Sequence, residues 1–243
     1  MPELLLAHSL GTSPLVWSKV LPLLPAGIDA TAFPLPGHAG APRPTGEASL
    51  GAAADAVVAL ADRKGIDRFH FAGVSIGGAI GLELALRHPD RLHSVAVVCA
   101  VARFGEPDSW LQRAELVRRQ GTPVLVTASA QRWFHPEFPA RDPDSVGRIL
   151  HDLSDTDDEA YAWYCEALAR FDVRDELPRV AVPVLVLEGD HDEVATVEAG
   201  RAMAEAMPRG RFAVVEDSGH QAPIERPEQV AAAIAELIAE TES

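Results

Sequence analysis

Apolar residues in this chain gather into short continuous runs. "LLLA" (4–7), "ATAF" (30–33), "FHFAG" (69–73), "VAVVC" (95–99), "VPVLVLEG" (182–189) and "RFAVVE" (211–216) each fit a strand. Continuous rather than alternating apolarity suits strands covered on both faces, as in a parallel sheet. Between these runs the period lengthens. Residues 49–64 put Leu50, Ala54, Val57, Val58 and Ala61 on one helical face, and Ser49 is placed to cap the first turn. Residues 76–88 form a second helix, stopped by Pro89, and 195–207 and 227–240 make two more. This alternation predicts an α/β fold, a doubly wound and mostly parallel sheet with helices on both faces.

The middle of the chain breaks the rhythm. Between 103 and 176 only "PVLV" (123–126) fits a buried strand. Amphipathic helical stretches at 109–120 and 158–170 take over, and Trp110, Trp133 and Trp163 all fall here. The pattern predicts a helical cap over 103–176, inserted into a core made of 1–102 and 177–243.

Composition narrows the partners. The chain has 243 residues, 47% hydrophobic and 23% charged, which suits one globular α/β domain carrying an insertion. A net charge of −15 repels nucleic acid and anionic membrane surfaces. Cys99 and Cys165 make no disulfide framework and read as buried thiols in a reducing compartment. "MPELLLAHSLG" has no basic n-region, and no apolar run reaches the ~18 residues of a membrane span, so a cytoplasmic location is expected.

One loop carries candidate chemistry. "FAGVSIGGAIG" (71–81) crowds glycines around Ser75. It lacks the G-x-G-x-x-G of dinucleotide sites and the lysine of a P-loop. It contains Gly73-Val74-Ser75-Ile76-Gly77, a G-x-S-x-G between a strand and a helix. In that setting a serine stands on a sharp turn with its hydroxyl at the C-terminal edge of the sheet. A nucleophilic serine needs a base and a group that orients the base, in the chain order Ser, acid, His. His220, in "EDSGHQAPIERPEQV" after the last strand, falls at the same edge. "VLVLEGDHDEV" offers Asp190, Asp192 and Glu193 as the acid, with His191 exposed and incidental. "LLLAHSLGTS" (4–13) offers a second donor to an oxyanion, the Leu10 N–H, to act with the Ile76 N–H.

With these residues in place the chain resembles the α/β-hydrolase superfamily over nearly its full length. "PLPGHAGAP" (34–42) is similar to the loop after that family's second parallel strand, His8-Ser9-Leu10-Gly11 to its H-G-x-G motif, and "GHQAPIERPEQV" to its catalytic-histidine segment. The family's G-x-x-D pattern selects Asp192, three residues after Gly189, over Asp190. The cap segments "RFGEPDSWLQRAELVRRQG", "QRWFHPEF" and "AYAWYCEALARFDVRDEL", with "HSLGTSPLVW", resemble the 3-oxoadipate enol-lactonases of aromatic-ring catabolism. There are departures. The additional N-terminal β-hairpin usual in the family is missing, which leaves a sheet edge less protected and can favour a homo-oligomer. His8 stands where the family tends to have Asn, and Pro34 where it tends to have Asp.

The resemblance implies a Ser75–His220–Asp192 triad opening an enol-lactone that bears a carboxylate, with no cofactor and no metal; the H-x-x-x-H spacing of a zinc site is absent. A carboxylate entering so acidic a protein needs a local cation. Arg132 beside Trp133 is the candidate, with Arg103 second. The same triad suits a carboxylesterase, a perhydrolase, a neutral-lactone hydrolase or a lyase of menaquinone synthesis. A non-catalytic receptor on this scaffold is disfavoured because no triad member is missing, and a haloalkane dehalogenase because its nucleophile is a carboxylate.

Overall fold

The computed structural model describes residues 1–242. Six strands form one sheet: β1 (Glu3–Ala7), β2 (Asp29–Phe33), β3 (Phe69–Val74), β4 (Leu92–Val98), β5 (Val184–Gly189) and β6 (Gly210–Val215). Their order is β2-β1-β3-β4-β5-β6, and every pairing is parallel. β2 forms one edge, with no strand on its outer side among the described residues.

Helices α1 (Leu50–Lys64), α2 (Ile76–Arg87), α3 (Pro107–Gln120), α4 (Val126–Trp133), α5 (Phe138–Arg141), α6 (Pro143–Asp155), α7 (Asp158–Arg170), α8 (Val197–Glu205), α9 (Ala222–Glu225) and α10 (Pro227–Thr241) complete the chain. Alternate strand residues feed two cores. Leu5, Phe71, Val97 and Val186 face α1, α2 and α8, whereas Leu6, Val74, Val98 and Leu187 face α10 and Trp17. Both faces are therefore dry, which is why the strands read as unbroken apolar runs. No helix among the described residues is long and apolar enough to cross a membrane.

Local signals set the helix ends. Ser49 Oγ accepts the Ala52 N–H at 3.1 Å, and Gly65, at φ 73°, closes α1 in the left-handed region. α8 starts at Val197, later than the expected 195, because Thr196 caps it and the Ala195 N–H is committed to Asp192.

No strand of the sheet lies between β4 and β5. The expected strand at 123–126 is instead a 3-10 turn, Thr122–Leu125, leading into α4. Pro123 brings no N–H to a ladder and opens the turn, whose carbonyl receives the Val126 N–H, and Val124 is exposed. The ends of the helical segment meet at its neck. Arg103 and Asp172 form an antiparallel bridge, and the Val173 N–H donates to the Ala102 carbonyl at 3.0 Å. Within the segment α3 packs on α7, and α6 turns Val146, Ile149 and Leu153 inward.

Candidate active site

β3 passes into α2 through Ser75 alone, whose backbone sits at φ 58°, ψ −118°. An L-residue held at positive φ costs on the order of 1–3 kcal/mol. Neighbouring bonds hold it there: the Ser75 N–H donates to the Val98 carbonyl at 2.8 Å, and the Ala79 N–H to the Ser75 carbonyl at 3.1 Å. The flanking glycines are required by contact. A Cβ on Gly73 would stand 2.1 Å from the Gly77 carbonyl, and one on Gly77 would stand 2.6 Å from the Ala7 carbonyl oxygen. The G-x-S-x-G spacing thus lets the elbow seat against the end of β1.

The structure brings Ser75, His220 and Asp192 together. His220 Nε2 lies 2.8 Å from Ser75 Oγ, and its Nδ1 lies 2.7 Å from Asp192 Oδ2. An acidic acceptor at Nδ1 keeps the proton on that nitrogen and leaves the Nε2 lone pair to the serine hydroxyl. Such a chain can take the serine proton onto the imidazole. All three residues are buried, and Asp192 Oδ1 accepts the Val194 and Ala195 N–H groups at 2.7 and 3.1 Å. Asp190 instead points to the Ser218 N–H, at 3.0 Å, and braces the histidine loop. His191 is exposed and sits edge-on to His135, 4.3 Å between ring centroids.

Glu225 ties that loop to the helical segment above. Its carboxyl accepts the N–H groups of His135 at 2.7 Å, Gly219 at 3.1 Å and Gln221 at 3.3 Å. Burial raises its pKa to about 7, against the downward pull of these amides and of His220.

The backbone N–H groups of Leu10 and Ile76 donate to no acceptor among the described residues. Ile76 opens α2, where amides are unpaired and the helix dipole favours negative charge. Two buried imidazoles hold the Leu10 loop from behind. His38 Nε2 accepts the Gly11 N–H at 3.1 Å, and His8 Nε2 accepts the Leu35 N–H at 2.9 Å. Both roles need a bare Nε2. Accordingly each Nδ1–H donates to a carbonyl, that of Ser9 for His8 and of Pro36 for His38. Burial lowers both pKa values, that of His38 to about 4.

A chamber of about 100 Å³ opens over Ser75, with Leu10, Ile76 and His220 at its floor and Arg132 and Trp133 in its wall. Arg103 lies elsewhere, paired with Glu106 at 2.8 Å and Asp172 at 4.0 Å. A second guanidinium, which the sequence reading missed, also lines the chamber: Arg113 of α3, stacked over the Trp110 ring at 4.8 Å. Phe104, Trp110, Arg113, Arg132 and Val194 are shared with an adjoining outer space of about 270 Å³, so the two arginines stand at the neck between the spaces. Neither pairs with a carboxylate among the described residues, while most other arginines do. A signal for Arg113 existed: it lies three residues after Trp110 and four before Val117, on the inward stripe of α3.

Known proteins share this architecture. The chain matches the alpha/beta hydrolase family over residues 4–233. It is 35% identical over 227 residues to 3-oxoadipate enol-lactonase 2 of Acinetobacter baylyi, covering 93% of this chain and 85% of the relative. It is 30% identical to the pimeloyl-[acyl-carrier protein] methyl ester esterase of Aromatoleum aromaticum, covering 98% of each. The solved enol-lactonase of Burkholderia xenovorans superposes with a TM-score of 0.94 at 33% identity, covering 98% of this chain and 91% of that one. A family match spanning nearly all of the six-stranded sheet, and relatives that are hydrolases, lead to one assignment: the chain is a hydrolase and belongs to the alpha/beta hydrolase family.

Proposed function

We propose that the protein opens a carboxylated enol-lactone, 3-oxoadipate enol-lactone to 3-oxoadipate, through an acyl-enzyme on Ser75. The observation that carries this reading is the pair of guanidiniums, Arg113 and Arg132, at the neck above Ser75, neither in an ion pair among the described residues although Glu106 and Glu193 line the outer space. In a chain of net charge −15, two cations left unpaired beside a serine hydroxyl favour an anionic substrate. The similarity to enol-lactonases supports the lactone in particular.

Ser75 Oγ attacks the lactone carbonyl while His220 Nε2 takes its proton. Asp192 holds the imidazole tautomer and stabilises the cation that forms. The Leu10 and Ile76 N–H groups receive the oxyanion. Collapse breaks the ring C–O bond; the ring oxygen leaves as an enolate, takes the proton back from His220 and tautomerises to the ketone. A water molecule, deprotonated by His220, then attacks the acyl carbon, and the returning proton restores the serine. Residues 103–176 serve as the cap that supplies the arginines and Trp133. The reaction belongs to aromatic-compound catabolism in a reducing cytoplasm, in keeping with two free buried thiols.

The test is ring opening followed by ultraviolet absorbance in wild type, Ser75→Ala and His220→Ala. Each variant is expected to lose about 10⁴-fold or more in kcat. Near-wild-type turnover in either removes the assignment. No turnover of the lactone by the wild type, with p-nitrophenyl acetate still cleaved, rejects the substrate and keeps the serine.

A further inference from the structure

The penultimate residue of β5 is a glutamate that the reaction above does not use. Glu188 is 0% exposed, and neither carboxyl oxygen makes a hydrogen bond. Gly200 of α8 closes on its side chain: a Cβ there would stand 2.3 Å from Glu188 Cγ. The charged residues of α8, Glu198, Arg201 and Glu205, are exposed. On the other side Glu188 converges with Cys99 and Asp192, donor atoms of the three lying within 4.8 Å of one another. The Cys99 thiol faces the Gly219 carbonyl, at 3.7 Å, and burial holds it uncharged. No lysine, arginine or histidine pairs with Glu188 among the described residues.

A bare carboxylate at such a place costs several kcal/mol in lost hydration. A second one beside it adds repulsion, and two close carboxyls do not both ionise. Asp192 is the member with compensation: His220 and two backbone amides serve it, whereas Glu188 feels only the Ala100 backbone, outside hydrogen-bond geometry. Burial first, and the Asp192 charge second, push Glu188 well above the carboxylate range. Asp192 Oδ2 accepts only the His220 N–H and has a lone pair to spare.

We propose that Glu188 is a positioning residue: its buried carboxyl keeps its proton and presents it to Asp192, so that the pair carries one negative charge behind His220. This donor draws charge off Asp192. The imidazolium that forms during the reaction is then less stabilised by the pair behind it. The inference rests on the Ser75–His220–Asp192 reading and not on the lactone, so p-nitrophenyl acetate is the substrate for its test.

Two measurements decide it. In infrared difference spectra of wild type against Glu188→Gln at pH 7, the C=O stretch of a protonated carboxyl is expected in the wild type and absent from the variant. In pH profiles of kcat/KM, Glu188→Leu removes the donor, and its acid limb is expected to move up by roughly one unit. Glu188→Gln keeps a donor and is expected to return the limb towards its wild-type position. Absence of the carboxyl band overturns the proposal, and so does an unmoved acid limb in Glu188→Leu. If that variant fails to fold, the infrared band alone decides.

Discussion

Replacing Arg113 by leucine tests the substrate reading most informatively, because the structure gives its magnitude. The guanidinium is half-buried, lies 4.8 Å from the Trp110 ring and has no carboxylate to return to when the site is empty. Leucine keeps an apolar contact with Trp110 and removes the charge. A hydrogen bond to a charged group, partly shielded from water, contributes about 1.5–3 kcal/mol. That corresponds to a loss of roughly 10- to 150-fold in kcat/KM for the carboxylated lactone. Arg132 is exposed, so solvent screens it, and Arg132→Ala is expected to cost no more than about fivefold. Both losses belong to KM. The assay is kcat/KM on the enol-lactone beside p-nitrophenyl acetate, on which each variant stays within about threefold of wild type. Equal losses on the two substrates would refute the carboxylate role, and a larger loss at Arg132 than at Arg113 would refute the burial reasoning.

Two further substitutions probe the scaffold. Gly77→Ala forces a Cβ against the Ala7 carbonyl oxygen, which it would meet at 2.6 Å. Overpacking of this kind costs about 1–3 kcal/mol; a melting point lower by several degrees and a reduced kcat are expected, and an unchanged pair of values contradicts the close contact. Glu225 has a folded pKa of about 7 against an ordinary 4.5. The folded chain therefore holds a proton between those values that the unfolded chain has lost. Its contribution to stability is fully present at low pH and is lost as pH rises through 7, with a slope of at most about 1.4 kcal/mol per unit. The melting-point difference between wild type and Glu225→Gln should fall from pH 5 to pH 8. A constant difference would show that the carboxyl does not titrate there.

The sheet was legible because its inner strands, β1, β3, β4 and β5, are covered on both faces, which leaves an unbroken apolar run that loops do not share. "PVLV" misled for the same reason: four residues of the right type cannot reveal that Pro123 opens a turn and that Val124 faces water. The Ser75 elbow was legible because its glycines are fixed by backbone contact, a constraint that sequence records directly. The neck was only half legible. Arg132 stood out beside Trp133, whereas Arg113 shares α3 with Arg118 and Arg119 and is separated from them only by helical phase. Glu188 left a clear mark, a charged residue inside a doubly covered strand, but its meaning depends on Asp192 and Cys99 meeting it from two other elements.

The central claim is that the site selects a carboxylated lactone over its neutral counterpart. The most direct measurement is kcat/KM for 3-oxoadipate enol-lactone against the matched lactone whose side-chain carboxylate is replaced by a carboxamide. Two guanidiniums at the neck predict a preference for the carboxylate of roughly 10-fold to several hundred-fold, collapsing in the Arg113→Leu, Arg132→Ala double variant. Equal kcat/KM for the two lactones in the wild type would contradict the account.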